Sequence, residues 1–176
     1  FGFKDIGDEA MLTEDLNFII SNLGIPRQNI YIFGQKTDYL AFYHDHPKDN
    51  CLSSLVLRKK IQTIKNITKK QKIKQLIKAV IKSNNKTLQK EDPSIKAAKS
   101  CDVLLVTGGG TINTRDSQGN SIKRMHSLVT YFKSIGKPIF MSGQTIGPLG
   151  LYDEHDRLAK EIINSVEFLS VRDSQY

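Results

Sequence analysis

The sequence is 176 residues long, 39% apolar and 25% charged, with a formal net charge of +8. That is enough ordinary chain for one domain with a real core. No apolar run approaches the roughly 20 residues of a membrane span, and no charged-then-apolar leader opens the chain. Cys51 and Cys101 are the only cysteines. They lack metal-type spacing and point to a reducing compartment. The sequons at Asn66 and Asn85 are taken as chance matches.

The basic balance is local. Arg58 to Lys90 holds twelve Lys and Arg and no acid, while the remainder holds 14 basic against 18 acidic residues. The charge is therefore a patch on a mildly acidic chain.

Gly7 to Leu23 reads as a helix, with Leu12, Leu16, Ile19, Ile20 and Leu23 on one face. Asp8, Glu9 and Glu14 favour its positive end. Gly24 and Pro26 stop it. "NIYIF" predicts a strand over Ile30 to Phe33. Residues 55–90 read as one or two basic amphipathic helices. Leu57, Ile61 and Ile64 form one stripe; Ile73, Leu76, Ile77, Val80 and Ile81 form another.

A regular alternation follows. "DVLLVT", "PIFMS" and "FLSVR" are strand-like, separated by helical patterns over "SLVTYFKSIG" and "YDEHDRLAKEIINSVE". The inward faces are Leu128, Val129, Phe132 and Ile135 in the first helix, and Leu158, Ile162, Ile163 and Val166 in the second. Unalternating strands that take turns with helices predict a parallel βαβ sheet covered on both faces. The fold class is α/β. In such sheets ligands sit beyond the carboxyl ends of the strands, and all three strands end in unusual residues: "GGGT", "GQTIGP" and "VRD".

Gly108, Gly109 and Gly110 allow positive φ and a close backbone approach to an anion. They can equally make a plain tight turn. The run is neither a Walker loop nor a dinucleotide fingerprint. Gln144 can donate to and accept from a sugar hydroxyl, or bridge two loops. Thr145 adds a hydroxyl, and Gly147-Pro148 fixes the loop exit. Arg172 can clamp a phosphate or carboxylate, or pair with Asp173. Asp8 and Glu9 can orient a hydroxyl or cap their helix. His44-Asp45-His46 offers too few ligands for a metal site. His126 is a rim candidate, and His155 is expected on a solvated face.

Taken in order, "FGFKDIGDEAML", "DVLLVTGGGT", "SGQTIGPLG" and "SVRDS" resemble the polysaccharide pyruvyl transferase family, in its bacterial cell-wall branch. The resemblance covers nearly the whole chain. It implies a GT-B-like enzyme of two Rossmann-like domains, with residues 1–176 as the N-terminal one. The first strand and the second domain would then lie outside this sequence, and residues 1–176 alone would be inactive. The implied reaction moves a pyruvyl group from phosphoenolpyruvate onto a sugar of a cell-surface polysaccharide or its lipid-linked precursor, as a ketal. It needs no metal and no cofactor.

On the same footing, Arg172 holds the donor phosphate, and Asp8 contacts the acceptor and acts as its base. Gly108, Gly109, Gly110, Thr111, Gln144, Thr145 and Gly147 line the cleft, and the general acid lies in the other domain. The chain departs from the family pattern at Asp5, where Asn is usual, and in "TINTRD", where Asp116 stands near the family's acidic position. The Lys-rich segment has no family counterpart.

Two other readings remain at this level. One is a GT-B glycosyltransferase with a nucleotide-sugar donor. The other is a polyanion- or membrane-binding module built on 58–90. No aromatic residue lies in that segment, which speaks against nucleic acid as a partner. A solvated lysine face is the plainer account of it. A cytoplasmic enzyme, peripheral on the inner face of the membrane, accommodates both the charge and the thiols.

Overall fold

A computed structural model describes residues 6–54, 57–59, 61 and 92–172. Helix α1 (Ile6–Asn17) opens it with Asp8 and Glu9 in its first turn. A π-helical turn, Phe18–Asn22, extends it, and Gly24 leaves it at φ +66°. Leu12 and Leu16 are buried as the periodicity requires. Leu23 is 57% exposed, because the wider turn rotates it off the apolar face.

Strand β1 (Ile32–Gly34), helix α2 (Thr37–Tyr43) and strand β2 (Cys51–Ser53) form a βαβ unit whose strands pair in parallel, Ile32 opposite Cys51. Their core is Leu12, Leu16, Ile32, Leu40 and Cys51. Helical backbone resumes at 54, 57–59 and 61, where Leu57 and Ile61 are buried. The rest of the basic segment and its second stripe lie outside the described residues.

Helix α3 (Pro93–Ser100) starts on an Asp92 cap, whose carboxylate accepts the Ser94 amide at 2.9 Å. Three strands then alternate with two helices: β3 (Leu104–Thr107), α4 (Asn120–Ser134), β4 (Ile139–Gln144), α5 (Asp153–Ile163) and β5 (Phe168–Val171). The strands pair in parallel in the order β3-β4-β5. The α/β reading and its parallel sheet therefore hold.

Burial on both sheet faces does not hold among the described residues. Along β4, Ile139 and Met141 are buried at 1% and 0%, while Phe140 between them is 37% exposed. Consecutive right-handed crossovers moving in one direction put α4 and α5 on the same face. There Ile122, Val129, Phe132, Leu158 and Ile162 pack against Ile139 and Met141. Each such side chain contributes about 1.5–3 kcal/mol of burial. Phe140 and its register partner Phe168 occupy the other face.

Candidate functional site

The carboxyl ends of β3, β4 and β5 are tied to one another by backbone hydrogen bonds. Gly108 N donates to Ser142 O at 2.8 Å, Thr145 N to Gly109 O at 3.1 Å, and Arg172 N to Gln144 O at 2.9 Å. Farther along, Ile112 and Ile146 form an isolated parallel bridge, and Gly147 N donates to Ile112 O at 2.8 Å. Thr114 fastens the loop exit, its amide and hydroxyl both donating to Pro148 O beyond the cis Gly147–Pro148 bond. One continuous rim results. Gly108 and Gly109 have φ of +53° and +89°, which explains why glycine stands there.

Gln144 sits beneath that rim. Between the Met141 and Gln144 pairings a bulge sets two residues of β4, Ser142 and Gly143, against one of β5, Ser170, and Gly143 takes φ +60° within it. The extra residue reverses the alternation and turns Gln144 inward, where it is 0% exposed. Its Nε2 donates to Gly108 O at 2.8 Å, Ser142 O at 3.0 Å and Val106 O at 3.3 Å. Its Oε1, like the Thr111 hydroxyl, is buried and has no partner among the described residues. The amide thus braces the glycine turn from below. Thr145 and Gly110 are exposed on top.

Helix α1 joins the rim through Met11. The Met11 Sδ accepts from an Arg172 guanidinium nitrogen at 3.7 Å, and Met11 also packs against Gly108. Asp8 lies one helical turn before Met11. Arg172 is itself exposed.

Sequence reasoning missed three features. Glu9 is buried and meets His44 across 35 positions of chain, Oε2 to Nε2 at 2.8 Å, with both side chains 2% exposed. The Thr13 hydroxyl lies 3.3 Å from His44 Nδ1. Asp15, next to Thr107 at the end of β3, has its carboxyl pushed up by burial. Asp116 accepts the Gln118 and Asn120 amides at 3.0 and 2.8 Å, which hold its carboxyl low and anchor the start of α4.

The other histidines stand elsewhere. His46 bonds Ile30 O at 2.9 Å, and no group of three metal-type ligands forms among the described residues. His126 pairs with Glu161 at 2.7 Å between α4 and α5, away from the rim. His155 is 3% exposed, not solvated, because its ring fills the space left by Gly119. An open depression of about 380 Å³, lined by Lys133, Lys137 and Glu167 among others, lies at the opposite ends of the strands. It takes no part in this site.

A family model for polysaccharide pyruvyl transferase matches residues 5–175. The chain belongs to the polysaccharide pyruvyl transferase family. No curated protein and no solved structure gives a significant match. Membership makes this rim part of a transferase that acts on polysaccharide. The matched range takes in Asp8, the glycine turn, Gln144 and Arg172 alike. Among the described residues of this pyruvyl transferase, no helix is long and apolar enough to cross a membrane.

Proposed function

We propose that this chain forms one wall of the cleft of a GT-B-like enzyme that transfers the pyruvyl group of phosphoenolpyruvate to a cell-wall saccharide. A proton added to the methylene carbon of the donor makes it a methyl group and leaves an oxocarbenium-like centre at C2. One sugar hydroxyl bonds to that carbon as its proton is removed. A second hydroxyl then displaces phosphate, its proton leaving with the departing phosphate, and the ketal closes. The donor carries two anionic groups, which calls for a guanidinium and N–H donors. Arg172 and the turn at Gly109 to Thr111 supply them, and Asp8 takes the hydroxyl proton.

The observation that carries this reading is the convergence of Arg172, Met11 and Gly108 at one point of the rim. Arg172→Ala in the full-length protein should raise KM for phosphoenolpyruvate by about 30-fold or more, the scale of one lost charge-assisted contact of ~2 kcal/mol. Arg172→Lys should recover only part of that. Saccharide-dependent phosphate release from phosphoenolpyruvate is the assay. Turnover of a nucleotide-sugar, with phosphoenolpyruvate left untouched, would overturn the proposal.

The basic segment 58–90 gives the same enzyme a surface for anionic lipid, where lipid-linked acceptors reside. Sedimentation with phosphatidylglycerol vesicles at low salt should exceed that with phosphatidylcholine. Equal sedimentation removes this part of the proposal.

A further inference from the structure

Helix α2 carries three aromatic side chains, Tyr39, Phe42 and Tyr43, beside its one fully buried residue. Its inward residue, Leu40, is 0% exposed, whereas Phe42 and Tyr43 are 88% and 54% exposed. Tyr39 and Tyr43, one turn apart, stack with centroids 5.4 Å apart and an interplanar angle of 24°. Tyr43 then meets the edge of His44 at 4.9 Å, and His44 holds Glu9 of α1 at 2.8 Å. The aromatic cluster therefore rests on the buried pair that ties α2 to the first turn of α1, where Asp8 neighbours Glu9. Met11, on the next turn of that helix, touches Gly108 and Arg172. Helix α1 thus contacts the glycine rim through Met11 and the base of the aromatic cluster through Glu9.

We infer that Tyr39, Phe42 and Tyr43 form a saccharide-binding shelf, onto which an acceptor extends from the reacting hydroxyl near Asp8. Rigid aromatic rings give contact area at little entropic cost. A sugar ring offers them an apolar face of C–H bonds and turns its hydroxyls outward to polar partners. Carboxylates at the edge of a ring stack suit that mixed surface. Desolvation first, and then the Glu9 carboxylate, push the Tyr39 phenol up, which places Tyr39 close to the first turn of α1.

The inference rests on the transferase reading for its choice of ligand, but its test stands apart. Full-length protein would be titrated with a panel of disaccharides: cellobiose, lactose, mannobiose and N,N′-diacetylchitobiose. Ligand-observed NMR reports binding, and phosphate release from phosphoenolpyruvate is followed in parallel. At least one disaccharide should bind, with affinity about tenfold weaker in Phe42→Ala/Tyr43→Ala, a change equal to ~1.4 kcal/mol. Tyr43→Phe should retain it. Phe42→Ala alone, at a side chain 88% exposed, should weaken binding with the thermal midpoint unchanged, which separates lost binding from lost folding.

No binding by any member of the panel, or equal binding by the double variant, overturns the shelf. Binding that the variant loses, in a protein that never consumes phosphoenolpyruvate, upholds the shelf and defeats the pyruvyl transfer reading instead.

Discussion

Met11 and Arg172 lie 161 positions apart in sequence, yet the thioether accepts from the guanidinium at 3.7 Å while its Sδ and Cε fill the space beside Gly108. A Cβ on Gly108 would stand 2.4 Å from Met11 Cε, on backbone already at φ +53°. Gly108→Ala should therefore destabilise the fold by about 1–3 kcal/mol. By displacing Met11 it should also raise KM for the donor more than it lowers kcat. In a Met11→Ala background the steric part disappears and only the backbone strain remains. Equilibrium urea unfolding of the four proteins measures the difference, and full additivity would contradict the contact.

Gln144 gives a sharper distinction between bracing and ligand contact. Its Nε2 serves three carbonyls beneath the rim. Gln144→Glu keeps the shape but replaces the donor with acceptor oxygens, so carboxylate would face carbonyl. We expect a loss of at least ~2 kcal/mol and a larger loss than in Gln144→Met, which fills similar space without charge. Denaturant midpoints give the order. Stability unchanged in both variants, with saccharide affinity lost, would assign Gln144 to ligand contact alone.

These two residues also mark how far the sequence can be read. The βαβαβ half was legible because Leu104 to Thr107 and Ile139 to Met141 are apolar runs, and Val129, Phe132, Leu158 and Ile162 recur at helical spacing. Placing "GGGT", "GQTIGP" and "VR" on one rim needed only the rule that parallel strands end together. Helix α2 and strand β2 escaped notice because at seven and three residues they are too short for a period to register. Helix α3 did carry a signal, the Asp92-Pro93-Ser94 start. The inward turn of Gln144 depends on a bulge, and the Glu9–His44 pair joins residues 35 apart; neither leaves a local pattern.

The Glu9–His44 pair should matter to stability out of proportion to its size. With both side chains 2% exposed, removing one partner strands a polar group in the core. His44→Ala is expected to cost about 3–5 kcal/mol, whereas replacing both partners by Leu and Met should recover most of it. Chemical denaturation of the single and double variants forms the cycle. A loss below about 1 kcal/mol in the single variant would mean that water reaches the pair.

Acid should loosen the α4–α5 contact through Glu161. The His126 hydrogen bond, followed by Arg157, holds this carboxyl below its ordinary value of 4.5. Its folded pKa is depressed, so its contribution is present above about pH 4.5 and is lost as pH falls through the lower folded value. Glu161→Gln should lower the midpoint slightly at neutral pH, the site being partly exposed, and flatten the acid limb so that the two curves converge near about pH 3. Thermal midpoints followed from pH 6 down to about 3 decide it; parallel curves for the two proteins would refute the linkage.

Gly119 and His155 supply a steric test away from the rim. Gly119 has φ +63°, and a Cβ there would lie 2.3 Å from His155 Nε2. The ring is 3% exposed and packs on Tyr152 at 5.0 Å, so it has nowhere to retreat. Gly119→Ala should lower stability by about 2–4 kcal/mol, combining overpacking with backbone strain. In a domain of this length each kcal/mol is about 2–4 °C in Tm. His155→Ser removes the obstructing ring, so Gly119→Ala introduced on top of it should cost only the backbone share. Equal losses in both backgrounds would show that the ring stands clear of Gly119 and that its burial has another cause.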